Sequence, residues 1–74
     1  MKRLPRITGK EVLKILKKAG FAVVRVKGSH HFLQHEDGRC TVVPVHSGGI
    51  IGPGLMHKIL NDVEMSVAFF LSLS

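Results

Sequence analysis

Lys27-Gly28-Ser29-His30-His31-Phe32 brings turn chemistry, positive charge and titratable rings together in one short stretch. Glycine reaches positive φ without steric penalty and serine bonds locally to the backbone, so Gly28-Ser29 between two β-rich runs predicts a tight turn. That turn sets His30 at the mouth of a strand. An imidazole held there by strand geometry, with an ordinary pKa of about 6.5, can give or take a proton near neutrality and suits general acid or base work. Spacing alone favours a plainer role, a surface polar residue beside a turn, so proton transfer needs support from the rest of the chain.

The other reactive side chains offer less. Ser29 has no acidic and basic escort that would make it a nucleophile, and turn formation accounts for it. Cys40 is the single cysteine, so no internal disulfide and no multi-cysteine zinc pattern can be written, and a small packed residue is expected there. Strand alternation separates His30 from His31 and His35, which argues against a metal site at the three histidines. No metal and no cofactor is expected. His35 and His57 read as surface or interface residues, and His31 as a histidine on a helix-covered face.

A chain of 74 residues with 45% apolar composition predicts one small folded domain over residues 1–74. No apolar run follows Met1-Lys2-Arg3, and Val67 to Leu71 is far too short to cross a bilayer, so a soluble protein with no membrane role is expected. The single cysteine fits a reducing cytoplasm. Eleven Lys and Arg against five Asp and Glu give a net charge of +6 and a pI near 10.1. On so small a surface that excess favours polyanions, nucleic acid first among them, with a membrane surface or an acidic protein as alternatives.

The elements that must position His30 can be read in order. The start, residues 1–7, is basic, interrupted by Pro5 and without periodicity. Thr8-Gly9-Lys10-Glu11 fits a capping box, and Val12, Leu13, Ile15, Leu16 and Ala19 form the apolar stripe of a helix that Gly20 stops. The lysines Lys10, Lys14, Lys17 and Lys18 lie mostly opposite, as a solvated face. Phe21 to Lys27 reads as a strand, with Ala22, Val24 and Val26 on one face and Phe21, Val23, Arg25 and Lys27 on the other. A second strand runs from His30 to Glu36. Asp37-Gly38 is a two-residue hairpin signal into a third strand from Arg39 to Val45, which Pro44 should end. In the second strand His30, Phe32 and Gln34 share one face and His31, Leu33 and His35 the other.

His46 to Gly49 reads as a loop, with Ile50-Ile51 docking under the element that follows. Gly52-Pro53-Gly54 opens a second helix carrying Leu55, Met56, Ile59, Leu60 and Val63 inward, and Lys58 and His57 beside that stripe. Ser66 can cap a last short helix over Val67 to Leu73, although its phenylalanines equally suit a strand. The resulting class is α+β: a two-layer α-β-β-β-α sandwich, with a three-stranded antiparallel sheet covered by helices on one face and open on the other.

This order of elements, together with Arg25-Val26-Lys27-Gly28-Ser29-His30-His31-Phe32, the hairpin at Asp37-Gly38-Arg39, the segment Val43-Pro44-Val45-His46 and the later Gly54-Leu55-Met56-His57-Lys58-Ile59-Leu60, resembles the HicA family of toxin mRNA interferases. The likeness runs from about Thr8 to Ser66. Ile50 stands in a stretch that is more often polar in that family, and the apolar tail lacks charges common there. The resemblance implies a fold like the double-stranded RNA-binding domain, ribosome-independent cleavage of mRNA, a catalytic histidine at His30 and neutralisation by a cognate HicB-like antitoxin. RNA carries its own nucleophile, the 2′-OH, so one or two proton carriers suffice. Arg25, Lys27 and the Gly28-Ser29 backbone would neutralise charge on the phosphoryl group, and His46 or water would be the second proton carrier. The competing reading is a non-catalytic module that grips duplex RNA by shape, for which Lys58 with His57 is a thin basic platform.

Overall fold

Helix α1 (Gly9–Lys18) starts on the capping box that the sequence spells. Thr8 Oγ1 accepts the Glu11 N–H at 3.2 Å and Glu11 Oε1 accepts the Thr8 N–H at 2.9 Å. The Thr8 N–H and, at 3.1 Å, the Thr8 hydroxyl both donate to the Glu11 carboxylate, which favours its charged form and holds the Glu11 pKa below its ordinary value. The helix ends in a Schellman arrangement, in which the Phe21 N–H reaches the Leu16 carbonyl and the Gly20 N–H the Lys17 carbonyl. Val12, Leu13, Ile15 and Leu16 are buried and the four lysines exposed, as the periodicity requires. The structure, a computed structural model, describes residues 6–74, so the expected irregular start lies outside the described residues except for Arg6 and Ile7.

Three strands follow, β1 (Ala22–Lys27), β2 (His30–Gln34) and β3 (Cys40–Pro44), in an antiparallel sheet of order β1-β2-β3. Phe21 precedes the sheet and is buried in the core. Plain alternation misplaces half of β1. Val23 stands opposite Leu33 and Arg25 opposite Phe32, so Val24 and Arg25 share one partner in a β-bulge and the parity reverses there. Beyond the bulge Arg25 and Lys27 lie on the face of His30 and Phe32, and Val26 on the face of His31.

The second hairpin also departs from expectation. Asp37-Gly38 is not a two-residue turn: the His35 N–H bonds the Arg39 carbonyl at 2.8 Å and the Gly38 N–H the His35 carbonyl at 2.9 Å, closing a three-residue loop, Glu36-Asp37-Gly38. Positive φ at Gly38 makes this the bulge-type turn, and β2 and β3 therefore stop short of Glu36 and Arg39. Asp37 caps it by accepting the Arg39 N–H at 3.0 Å and Nε–H at 2.8 Å. Those bonds to Arg39 lower the Asp37 pKa.

Helix α2 (Pro53–Val63) has proline in its first turn and buries Met56, Ile59, Leu60 and Val63, while α3 (Val67–Ser72) is capped by Ser66. Both α1 and α2 pack on β3, and Leu33 and Val43 are fully buried between the layers. The fold is the α+β, double-stranded RNA-binding-domain-like sandwich, with α3 added. Phe70 of that added helix is fully buried, so the tail belongs to the core. The isoleucine pair divides: Ile51 is buried, whereas Ile50 is exposed and forms an isolated bridge with Thr8. Gly9 lies so close to the Pro44 carbonyl that any Cβ would collide with backbone, which fixes the start of α1 against the end of β3.

Candidate active site

Opposed residues on antiparallel strands share a face, so the register defines three rows on the open side of the sheet: Lys27, His30 and Pro44; Arg25, Phe32 and Val42; Ala22, Gln34 and Cys40. Those nine paired positions carry two cations, one histidine and no carboxylate. His30 is exposed at the head of the central strand. Cys40, expected to be packed, is exposed on this face because it pairs with Gln34 and not with a core residue.

The turn before His30 is a two-residue one, and Gly28 takes φ +59° at its first central position while Ser29 stays at negative φ, the type II′ pattern that suits strand twist. Its direction is fixed by the Ser29 carbonyl, which accepts the Val45 N–H at 2.7 Å and the His31 Nδ1–H at 3.2 Å. His31, on the opposite face, thus ties the turn to the sheet beneath while His30 points away from it. His35 has a different task. Its ring meets Phe21 edge-on at 5.2 Å, its Nδ1 takes the Asp37 N–H at 3.1 Å, and it belongs to the far hairpin.

Of the remaining expected site residues, His46 is exposed in the loop after β3, where its carbonyl accepts the Gly49 N–H. Lys58 is exposed on α2 and pairs with Asp62 at 2.8 Å. Asp62 also accepts the Thr41 hydroxyl at 2.9 Å, and the bonds to Lys58 and Thr41 lower its pKa against the opposing effect of burial. Lys58 therefore stands at the rim of the open face, apart from the His30 turn. Arg25, Lys27, Gly28, Ser29 and His30 come together; His46 and Lys58 flank them on other elements.

The family model for the HicA toxin of bacterial toxin-antitoxin systems matches residues 9–65. The chain belongs to the HicA toxin family. The match runs from the first residue of α1 to just past α2, so it contains the whole sheet and every residue of the candidate site, and it leaves α3 outside. As a HicA-family toxin the chain has an antitoxin as its counterpart. No curated protein matches it. Among the described residues no helix is long and apolar enough to cross a membrane.

Sequence reasoning passed over one pair. The Arg25 guanidinium lies 5.5 Å from the centroid of the Phe32 ring, a cation–π contact one row from His30. Phe32 was legible on the His30 face as an aromatic residue between two polar ones. Arg25 was not, because the bulge moves it there.

Proposed function

We infer that this HicA-family toxin is a ribosome-independent, metal-independent endoribonuclease of the cytoplasm that cleaves mRNA, acting as one domain over residues 1–74. The observation that carries the reading is the placement of His30, exposed at the head of β2, opposite Lys27, one row from Arg25 and directly after a braced turn. His30 would take the proton of a ribose 2′-OH, or give one to the departing 5′ oxygen. The O2′–P bond forms as the P–O5′ bond breaks, leaving a 2′,3′-cyclic phosphate. Lys27, Arg25 and the Gly28 and Ser29 N–H groups would neutralise the charge that grows on the phosphoryl group, which stabilises such a transition state. His46 and Lys58 are within the same domain to serve as supporting groups. A HicB-like antitoxin would inhibit by covering this basic turn, since charge that draws RNA also speeds association with an acidic inhibitor.

Replacing His30 with alanine should abolish RNA cleavage and toxicity on expression while leaving the thermal midpoint nearly unchanged, because an exposed strand-end side chain contributes little packing. Wild-type cleavage should persist in excess chelator and give cyclic or 3′-phosphate ends. A folded His30→Ala protein that still cuts RNA would refute the mechanism. RNA bound but never cut by the wild type would favour the duplex-binding module instead.

A further inference from the structure

Beyond His30 the open face continues into a groove of about 440 Å³ lined by Val24, Phe32, Gln34, Val42 and Lys58, within the range of small-ligand sites. Its floor is the half-buried Phe32 ring with the Arg25 guanidinium over it, its rim carries the Lys58–Asp62 ion pair, and Gln34 offers both a donor and an acceptor in the next row. Rows on one face of a strand are separated by roughly 7 Å, twice the rise per residue. A chain of nucleotides with one phosphate at Lys27 and His30 would therefore set an adjoining base over Phe32. Aromatic rings on an open sheet flanked by basic side chains are suited to unpaired bases, which can be splayed out and stacked, and not to duplex RNA, whose bases are already stacked.

We propose that Phe32 and Arg25 form a base-stacking platform that makes single-stranded RNA the substrate class of this toxin, with Gln34 reading the edge of the stacked base. This rests on the endoribonuclease reading but is tested by binding alone. With Val24 accommodated as a bulge Arg25 stands opposite Phe32; in a regular strand that paired Val24 with Phe32, Arg25 would face the covered side. Phe32 anchors the base, Arg25 stacks and carries charge, and Lys27 holds the phosphate one row away.

The chain contains neither tryptophan nor tyrosine, so Phe32→Trp introduces a single fluorescent reporter. The probe is a 2′-O-methyl oligoribonucleotide of about 8 nucleotides, which fits one binding site and cannot be cut. Single-stranded probe should quench the indole saturably, an abasic version should bind by anisotropy without quenching, and the duplex form should bind more weakly. In the otherwise wild-type chain, Phe32→Ala should weaken single-strand binding by about ten-fold or more with no change in salt dependence, whereas Lys27→Ala should flatten the salt dependence. Phe32→Leu, which preserves apolar bulk, should lose affinity like Phe32→Ala. Probe binding without quenching, equal quenching by the abasic probe, or tighter binding of the duplex would each overturn the platform. Failure of His30→Ala to stop cleavage would refute the catalytic assignment and leave the quenching result standing, whereas absence of any RNA binding would refute both.

Discussion

His31 and Val45 grip the Ser29 carbonyl from two sides, and this fixes where the neighbouring His30 points. A neutral hydrogen bond of this kind contributes about 1 kcal/mol. On the proposed mechanism His31 acts as a positioning residue, and His31→Phe, which keeps the ring and removes the donor, should lower kcat several-fold while KM stays the same. His31→Asn, whose amide nitrogen reaches a similar place, should restore most of the rate. A structural role alone would lower stability in both variants without separating kcat from KM. At this scale the sequence is informative about residue type and silent about aim. That adjacent histidines point oppositely follows from strand alternation, but the bond from His31 back to its own turn depends on ring orientation, which no pattern encodes.

At the scale of elements, the caps were legible because they are local: Thr8 and Glu11 reach each other across one helical turn. The exit of α2 was not. Glu64 ends that helix at φ 56°, ψ 44°, a left-handed conformation that costs a side-chain-bearing residue about 1 kcal/mol and that glycine adopts freely. Glycine also adds unfolded-chain entropy that offsets part of this relief, so Glu64→Gly should stabilise the protein by about 0.5 kcal/mol and raise the thermal midpoint by roughly 2–4 °C. An unchanged or lower midpoint would mean that the Glu64 side chain contributes more than its backbone strain. The bulge in β1 escaped the sequence for the opposite reason. Phe21-Ala22-Val23-Val24-Arg25-Val26 alternates acceptably in either parity, and the choice is made by tertiary packing, which buries Phe21 and pairs Val23 with Leu33. Likewise the apolar tail could be read as helix or strand, and burial of Phe70 against the two-layer core is what decides.

For the whole molecule, acid is the expected weakness. Glu11, Asp37 and Asp62 all have lowered pKa values in the native state because each carboxylate accepts hydrogen bonds there. Their contribution is present above the ordinary carboxylate pKa of about 4 and is lost as pH falls through the lowered native values. The urea midpoint should be flat near neutrality and fall below about pH 4. Asp62→Asn, at the partly buried bond to Thr41 and Lys58, should flatten that fall, and an unaltered acid limb would show that the other carboxylates dominate. The bulge has its own consequence at this scale. β1 is an edge strand whose Val24 and Val26 are 60% and 55% exposed, and such an edge invites a second copy to lay its own strand alongside. An extra residue breaks the regular row of donors and acceptors that this pairing needs. Deleting Val24 would leave every other residue opposite its present partner, and light scattering at high concentration should then reveal growing oligomers. A deletion variant that scatters no more than the wild type would assign the protection of this edge to the charges of Arg25 and Lys27, and growing oligomers would assign it to one inserted valine.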